Sequence, residues 1–290
     1  MSEIVELPRD RYGRPLVIPP GGGKPVAYTR CTTFVSATED TTALAKWKQR
    51  QVAIGLSLRP DLVALAAAAA GDKTELGRIC DQAHDAAASS AAANTGTALH
   101  QMTEMLDAGL VDIDGIPADN RGDMEAYLSA TAGWNHLHIE QFTVLDQYKV
   151  GGTPDRIANV PGYGNVIADL KTGSVDYGMG KIAAQLAAYS RSLMYDPATG
   201  ARTELPDVRT DVGIVIHLPA GSGAARLLEV DLDAGWANVE LCAQVRAWRS
   251  RKNLAREIAP TLPDDRDELR ALWQARPDLR PAIEAKVAAA

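Results

Sequence analysis

The sequence predicts an α+β fold in which helices flank a mixed central sheet. Two observations lead to this class. Helix-forming residues dominate positions 40–134, where alanine runs such as Ala66–Ala70 are mixed with Leu, Ile and Val. After position 138, short apolar segments alternate with turns that contain glycine and proline, which is typical of strands. The resulting order of helices, three strands, a helix, two strands and a helix favours helices packed on a sheet.

The composition indicates a soluble protein of the cell interior. Of the 290 residues, 46% are hydrophobic and 23% are charged, as in ordinary globular proteins. Cys31, Cys80 and Cys242 are far apart, so neither disulfides nor a four-cysteine iron–sulfur cluster is expected, and a cytoplasmic location fits. No apolar run reaches the length of a membrane span, so no membrane contact is expected.

Changes in composition divide the chain into an arm, a main domain and a C-terminal part. Proline, glycine and charge are concentrated before residue 26, and Pro260 and Pro263 mark a linker near the other end. The predicted parts are an extended arm (1–25), a main domain (26–258) with a helical part (40–134) and a sheet core (138–258), and a linker with a C-terminal helix (259–290). The run Gly21-Gly22-Gly23-Lys24 is followed by proline instead of Ser or Thr, so no ATP-binding P-loop is predicted.

A helix near residue 100 is the most informative element of the helical part. Asn94-Thr95-Gly96 is predicted to interrupt the alanine-rich run, and Thr97 to cap a new helix that ends near Gly109. Helical spacing places three polar residues on one stripe: His100, Glu104 and Asp107. The same spacing predicts an apolar stripe: Ala98, Met102, Met105 and Gly109. A further helix is predicted at about 120–134.

The sheet core is predicted to consist of two strand groups with helices between and after them. Three strands are expected at 138–149, 153–160 and 165–171, separated by the turns Gly151-Gly152 and Pro161–Gly164. The elements that follow are a helix at about 180–195, strands at 212–218 and 225–230, and a helix at about 233–258.

Two aspartates and a lysine are the strongest candidates for chemistry. Asp155 opens one predicted strand, and Asp169 and Lys171 share one face of the next because side chains alternate along a strand. Pairing of these strands would bring Asp155 beside Asp169. Neighbouring carboxylates repel, and a bound divalent cation removes that penalty. Oxygen ligands, including the carbonyl of Leu170, suit Mg²⁺ or Mn²⁺.

Residues from the flanking helices complete the candidate site. His100 could add an imidazole to the carboxylates, and the i, i+4 pair Gln185 and Tyr189 could face the site from the next helix. The chemistry that fits is phosphodiester hydrolysis. The metal would polarise the phosphate and activate water, and Lys171 would orient that water and offset phosphate charge.

These motifs, in this order, resemble the signature of the PD-(D/E)XK nuclease superfamily. Pro154-Asp155 and Asp169-Leu170-Lys171 are similar to its central motif. Gly96–His100 and Gln185–Tyr189 resemble the additional motifs of the RecB-type branch, which includes nucleases of bacterial recombination, CRISPR adaptation and phage recombination. The resemblance covers about residues 90–230, and positions 26–60 resemble the opening of phage-encoded members.

The resemblance implies a restriction-endonuclease-like core and a role for each motif residue. The implied metal ligands are His100, Asp155, Asp169 and the Leu170 carbonyl. Lys171 would be the catalytic lysine, and Gln185 and Tyr189 would position it and the nucleic acid. Glu140 is implied at the edge of the site or at a second metal.

The function expected from this resemblance is a Mg²⁺- or Mn²⁺-dependent DNA exonuclease, encoded by a phage and used in recombination or DNA processing. Its implied partners are single- or double-stranded DNA, a single-strand annealing or recombination protein, and further copies of the chain. Two alternatives stay open. One is a structure- or site-specific endonuclease of the same superfamily, and the other is a non-catalytic DNA-binding or assembly protein on the same fold.

Binding to nucleic acid would have to be local, because the net charge is −7. One basic segment could contact phosphates: Arg246, Arg249, Arg251 and Lys252. A solvated basic helix face explains it equally well. His136, His138 and Glu140 alternate on one predicted strand, and a strand face without metal is the favoured interpretation there.

Overall fold

The computed structural model describes residues 7–87, 91–176, 178–255 and 261–289. The chain divides into two compact units, with the boundary between Arg246 and Ala247. All the candidate metal ligands and catalytic residues belong to the first unit.

The described residues form an α+β fold, as predicted. The α-helices in these ranges are α1 (Cys31–Val35), α2 (Thr42–Leu58), α3 (Pro60–Ala68), α4 (Lys73–Ala86), α5 (Ala91–Asp107), α6 (Ala118–Ala130), α7 (Met179–Ser190), α8 (Leu232–Arg249), α9 (Arg266–Ala275) and α10 (Arg280–Ala289). The strands are β1 (Leu16–Val17), β2 (Val26–Ala27), β3 (Thr29–Arg30), β4 (Asn135–Ile139), β5 (Thr143–Leu145), β6 (Val150–Gly152), β7 (Arg156–Val160), β8 (Gly164–Lys171), β9 (Leu193–Tyr195), β10 (Arg202–Thr203), β11 (Val212–His217) and β12 (Arg226–Asp231).

A five-stranded mixed sheet with the order β12-β11-β8-β7-β4 forms the centre of the first unit. Strand β8 runs antiparallel to β7 and parallel to β11, while β12 and β4 are antiparallel edge strands. The turn that joins β7 to β8 lies at Pro161–Gly164, where Gly162 and Gly164 have the positive φ angles that favour glycine. This hairpin was predicted from the sequence, and it sets the geometry of the candidate site.

Helices cover both faces of the central sheet. Successive side chains of a strand point to opposite faces, and consecutive apolar residues therefore make both faces apolar. On one face, Ile157, Ile167 and Val215 pack in a cluster with residues of α1, α7 and α8. On the other face, Ala158 and Val166 pack in a cluster with residues of α5 and α6. The three central strands β7, β8 and β11 are therefore buried on both sides, which holds their ends in fixed positions.

The structure also contains a second five-stranded mixed sheet, with the order β10-β9-β5-β6-β3. It was not predicted. The segment expected as one strand at 138–149 splits between the two sheets, since β4 ends at Ile139 and β5 begins at Thr143. Glu140, with φ 52°, lies at the break. The apolar residues shift by one position across this break, from Leu137 and Ile139 to Phe142 and Val144, and the prediction of one continuous strand overlooked that shift.

Several other predicted boundaries were wrong for reasons of close packing. Gly151-Gly152 lies in β6 and not in a turn, and a Cβ on Gly152 would come within 2.8 Å of the Tyr189 hydroxyl. Asn94-Thr95-Gly96 lies inside α5 and does not interrupt it, so Thr97 does not begin that helix. A Cβ on Gly96 would be 2.8 Å from Thr172 Oγ1, which explains a glycine inside a helix.

The buried face of α5 also differs from the predicted stripe. Met105 is 40% exposed, while Leu99 and Thr103 are fully buried. The helix predicted at 180–195 ends at Ser190 and is followed by β9, and the helix predicted at 233–258 ends at Arg249. Residues 256–258 of that prediction lie outside the described residues.

The N-terminal segment, described from Leu7 onward, is not an extended arm. Strand β1 pairs with β2, and Val17 is fully buried in a cluster with Tyr28 and Tyr195. The backbone N–H of Ile18 donates to the Tyr195 hydroxyl at 3.0 Å. The proline- and glycine-rich composition predicted a loop. It does not show which residues of this segment contact the second sheet, whose residue Tyr195 is 177 positions from Ile18 in the sequence.

Helices α2, α3 and α4 have a small apolar cluster of their own, which includes Leu62, Ile79 and Ala83. The Asp72 carboxylate caps α4 by accepting the backbone N–H groups of Thr74 and Glu75. No single helix in the described ranges is long and apolar enough to cross a membrane; α2 and α3 meet that test only as a pair, and they are bent by 109°.

The second unit contains α9 and α10, where the sequence predicted one short helix. The Asp265 carboxylate caps α9 by accepting the N–H groups of Asp267 and Glu268. Leu269 and Ile283 are the buried apolar side chains of this helix pair. Lys286 Nζ donates to the Leu262 carbonyl at 2.8 Å and contacts the Asp264 carboxylate, which ties α10 to the segment before α9.

Candidate active site

The two aspartates of the central motif meet at one end of the β7–β8 hairpin. Asp155 directly precedes β7, and the antiparallel register pairs Arg156 with Ala168. Asp155 therefore lies opposite the end of β8 where Asp169 and Lys171 stand. Both carboxylates are buried, with 9% exposure for Asp155 and 1% for Asp169. The strand pairing that the sequence interpretation required is present.

Asp155 is fixed by the backbone of the neighbouring strand. Its Oδ2 accepts the Leu170 N–H at 2.7 Å, and the same oxygen lies 3.4 Å from Nδ1 of His100. His100 projects from α5, about one turn after Gly96. Because a glycine there lets α5 approach the loop after Lys171 closely, the imidazole reaches the strand ends.

Asp169 is surrounded by the other residues of the predicted set. Lys171 Nζ makes an ion-pair contact with Asp169 Oδ2. From α7, Gln185 Nε2 lies 3.4 Å from Asp169 Oδ1 and 3.5 Å from the Tyr189 hydroxyl, at the outer limit of hydrogen bonding. Gln185 and Tyr189 are both buried. The structure thus brings the six predicted side chains, from four segments of the chain, to one place.

Burial and mutual repulsion dominate the electrostatics of this site. Burial, together with the charge of Asp155, raises the pKa of Asp169 to about 6. Burial also raises the pKa of Asp155, although the Leu170 N–H and Lys171 oppose the rise. Burial lowers the pKa of His100, against the opposing effect of Asp169, so the imidazole is neutral at neutral pH and can act as a metal ligand.

Two glutamates extend the acidic site. The backbone N–H of Glu140 donates to the Asp155 carbonyl at 3.1 Å. Burial of its carboxyl group, together with Asp155 and Glu104, raises the pKa of Glu140 to about 8, although the residue as a whole is exposed. Burial likewise raises the pKa of Glu104, on α5 one turn after His100. Glu140 was predicted at the edge of the site; Glu104 was noted only as part of a polar stripe.

The donor set of this site fits a divalent cation. Asp169 Oδ2 is buried and accepts no hydrogen bond of suitable geometry among the described residues. Its contact is the ion pair with the Lys171 ammonium. Carboxylate oxygens and a neutral imidazole are donors that Mn²⁺ and Mg²⁺ accept. In the described ranges, no group of three or more His, Cys, Asp or Glu side chains is already arranged around one metal position. In this structure the Lys171 ammonium supplies the positive charge beside the Asp169 carboxylate.

A buried arginine beside the site was missed by sequence reasoning. Arg156 has no exposed surface, and its guanidinium contacts Asp107 and Tyr127 on the α5–α6 side of the sheet. An arginine within an apolar strand, next to a candidate ligand, was the available sign. Strand alternation places the Arg156 side chain on the opposite face of the sheet from Ile157. An unpaired charge buried on that face would be costly, so an acidic partner was to be expected.

The neighbouring histidines, His136 and His138, have different surroundings. His136 Nε2 lies 3.3 Å from Asp107 Oδ1, so this side chain belongs to the arginine network. A register shift between His136 and His138 breaks their predicted alternation.

The basic segment is divided between different roles. Arg246 is half-buried, donates to Thr29 Oγ1 at 3.1 Å and lies over the Phe34 ring, so it is engaged in packing. Arg249, Arg251 and Lys252 are exposed and belong to the second unit. The guanidinium of Arg251 lies 4.8 Å from the centre of the exposed Trp248 ring.

Comparison of the chain with protein-family models found no match, and comparison with curated proteins found none either.

Proposed function

We propose that this protein is a metal-dependent DNA nuclease with a PD-(D/E)XK, restriction-endonuclease-like core. The observation that carries the proposal is the buried pair of Asp155 and Asp169 at one end of an antiparallel hairpin, with Lys171 beside it. Two buried carboxylates with raised pKa values are unfavourable in a purely structural role. A site that binds a cation and a phosphate explains why both are kept together with a lysine.

The chain's own residues would divide the work of phosphodiester hydrolysis. His100, Asp155, Asp169 and the Leu170 carbonyl would hold Mg²⁺ or Mn²⁺, which supplies Lewis-acid polarisation of the phosphate and activation of water. The Leu170 N–H holds Asp155 in place. Lys171 would move from Asp169 to the phosphate and offset the negative charge that develops there. Gln185 would then keep Asp169 oriented.

The finer parts of the proposal rest on the sequence resemblance. These are exonuclease action on single- or double-stranded DNA, a phage origin and a role in recombination or DNA processing. An endonuclease of the same superfamily would use the same residues. A non-catalytic protein has no evident need for the Lys171 ammonium next to the aspartate pair, so we favour the enzyme.

The deciding experiment compares end-labelled linear DNA with covalently closed circular DNA, each incubated with Mg²⁺ or Mn²⁺. We expect degradation of linear DNA from its ends and no cleavage after chelation or in Asp169→Asn. Asp233→Asn, which changes an exposed carboxylate on α8, is the matched control and should retain full activity. Activity in Asp169→Asn equal to that of Asp233→Asn would contradict the proposal, whereas cleavage of the closed circle would identify an endonuclease.

A second test separates the role of the lysine from metal binding. Lys171→Met should lower kcat roughly 100- to 1000-fold, as expected for the loss of a charge that stabilises the transition state, and should retain Mn²⁺ binding measured by calorimetry. Lys73→Met, at an exposed position at the start of α4, is the control. If Lys171→Met cleaves DNA as fast as Lys73→Met does, Lys171 is not the catalytic lysine.

A further inference from the structure

Arg156 is the largest fully buried side chain of the protein's described residues and the centre of a hydrogen-bond network. Its Nε donates to Asp107 Oδ2 at 2.6 Å and to the Tyr127 hydroxyl at 2.9 Å. Its Nη2 donates to Thr103 Oγ1 at 2.7 Å. The Tyr127 hydroxyl in turn donates to Asp107 Oδ2 at 2.7 Å. A guanidinium with this many partners is held in one orientation.

The network connects two segments that carry candidate metal ligands. Arg156 follows Asp155 by one residue, whereas Thr103 and Asp107 lie on α5, the helix that presents His100. The Thr103 hydroxyl also donates to the His100 carbonyl at 2.8 Å. The hydrogen bonds of Arg156 therefore connect the start of β7, directly after Asp155, to the turn of α5 that carries His100.

A simple structural ion pair is a poor explanation for this arrangement. Burial of an arginine and an aspartate seldom stabilises a protein more than apolar residues of the same size would. A buried guanidinium whose Nε and Nη2 are hydrogen-bonded provides a defined position for the elements it joins, although its Nη1 has no partner among the described residues. At this place the distance that matters is that between His100 Nδ1 and Asp155 Oδ2, 3.4 Å.

We infer that Arg156 is a positioning residue that docks α5 on β7 and so holds His100 against Asp155. The inference rests on the proposed function in one respect, which is that His100 and Asp155 bind a metal. The docking of α5 on β7 can be measured in the metal-free protein. Asp107, Tyr127 and Thr103 act through the same guanidinium.

The second sheet offers a matched control for this network. There, the Tyr28 hydroxyl donates to Asp146 Oδ1 at 2.6 Å, and Arg202 donates to both oxygens of the same carboxylate at 2.9 and 3.0 Å. It is also a Tyr–Asp–Arg set, with little exposed arginine surface. None of its contacts involves α5 or the candidate ligands.

The experiment compares Arg156→Lys and Tyr127→Phe with Arg202→Lys and Tyr28→Phe in the full chain. Thr103→Val is added because it removes one hydroxyl without changing any charge, which keeps the test decisive if Arg156→Lys does not fold. The first readout is amide hydrogen exchange in the metal-free protein. We expect exchange at positions 100–107 to be about fivefold faster in the Arg156 network variants, as for one lost hydrogen bond, and unchanged in the two controls.

The second readout is Mn²⁺ affinity by titration calorimetry. We expect it to fall roughly 10- to 100-fold in the Arg156 network variants, the range typical of residues that orient metal ligands, and to stay unchanged in the controls. Equal exchange in α5 and equal Mn²⁺ affinity in both groups would overturn the inference. If the unaltered protein binds no Mn²⁺ and cleaves no DNA, the proposed function fails, and the exchange data alone decide whether Arg156 docks α5.

Discussion

Asp169 shows how strongly one side chain can depend on its surroundings. Its carboxyl is 1% exposed, and burial together with the charge of Asp155 raises its pKa to about 6. In the unfolded chain the same group ionises near 3.8. Between these two pH values the unfolded state loses a proton that the folded state keeps, so folding stability falls as the pH rises.

The first prediction follows from this difference at Asp169. In EDTA, the contribution of Asp169 to the free energy of unfolding should decrease between about pH 4 and pH 6 and then level off. Asp169→Asn cannot ionise there, so at pH 8 it should be more stable than the unaltered protein by roughly 1–3 kcal/mol, with little difference below pH 4. Urea unfolding at pH 3.5 and pH 8 measures both values.

Metal and a matched variant control this measurement. Mn²⁺ at saturating concentration should stabilise the unaltered protein and leave Asp169→Asn unchanged, because only the carboxylate form is a ligand. Asp233→Asn, at an exposed position, should follow the unaltered protein at every pH. An Asp169→Asn protein that is less stable at pH 8 than at pH 3.5, by as much as the unaltered protein, would contradict the assignment.

At the same scale, the sequence predicted the residues that stand in its recognisable motifs, including His100, which is far from Asp155 in the chain. Alternation along β8 put Asp169 and Lys171 on one face, and the Pro161–Gly164 turn brought Asp155 opposite. The role of Arg156 was not predictable, since its partners Asp107 and Tyr127 are 49 and 29 residues away in sequence. Only the packed fold shows which carboxylate a buried charge meets.

Among the elements, β8 was predicted well, α7 was predicted with an end several residues too late, and the strand at 138–149 was wrong. Strand β8 ends at Lys171 as expected, because it is a continuous apolar strand bounded by turns. At Glu140, by contrast, a single left-handed residue moves the chain from one sheet to the other. A local pattern gives the type of an element, but not the sheet to which it belongs.

Helices α7 and α8 show a contact that also depends on one residue. A Cβ on Gly235 of α8 would lie 2.3 Å from the carbonyl oxygen of Ala183 in α7. Backbone atoms cannot yield as the end of a side chain can, so this glycine allows the two helices to approach. Because α7 carries Gln185 and Tyr189, the contact also supports the candidate site.

The second prediction concerns this helix pair. Gly235→Ala should destabilise the protein by about 2–3 kcal/mol, since the helices must move apart. Gly180→Ala is the control: it also lies in a helix of this pair, has nothing within 4 Å of a new Cβ, and should be neutral or stabilising by up to about 1 kcal/mol. Thermal unfolding of both variants gives the comparison, and similar melting temperatures would show that α7 and α8 tolerate a wider spacing.

Over the whole first unit, stability is divided among separate apolar clusters. The central sheet has one cluster on each face, and the second sheet has another that includes Tyr28 and Val144. Helices α2 to α4 pack around a smaller cluster of their own. The sequence predicted helices in that region, but it gave no indication that they form a cluster distinct from those that hold the candidate site.

The third prediction tests whether this division holds in solution. A Cβ on Gly55 of α2 would lie 1.7 Å from the Ala83 carbonyl oxygen of α4, whereas one on Gly77 of α4 would have nothing within 4 Å. Gly55→Ala should therefore loosen α2 from α4 and speed limited proteolysis within residues 42–87 roughly tenfold or more, while Gly77→Ala should not. Since the neighbours of His100, Asp155 and Asp169 in the chain, such as Leu99, Ile157 and Leu170, pack in other clusters, Mn²⁺ affinity should stay the same in both variants. A parallel loss of Mn²⁺ affinity in Gly55→Ala would mean that the helical cluster and the candidate site fold as one cooperative body.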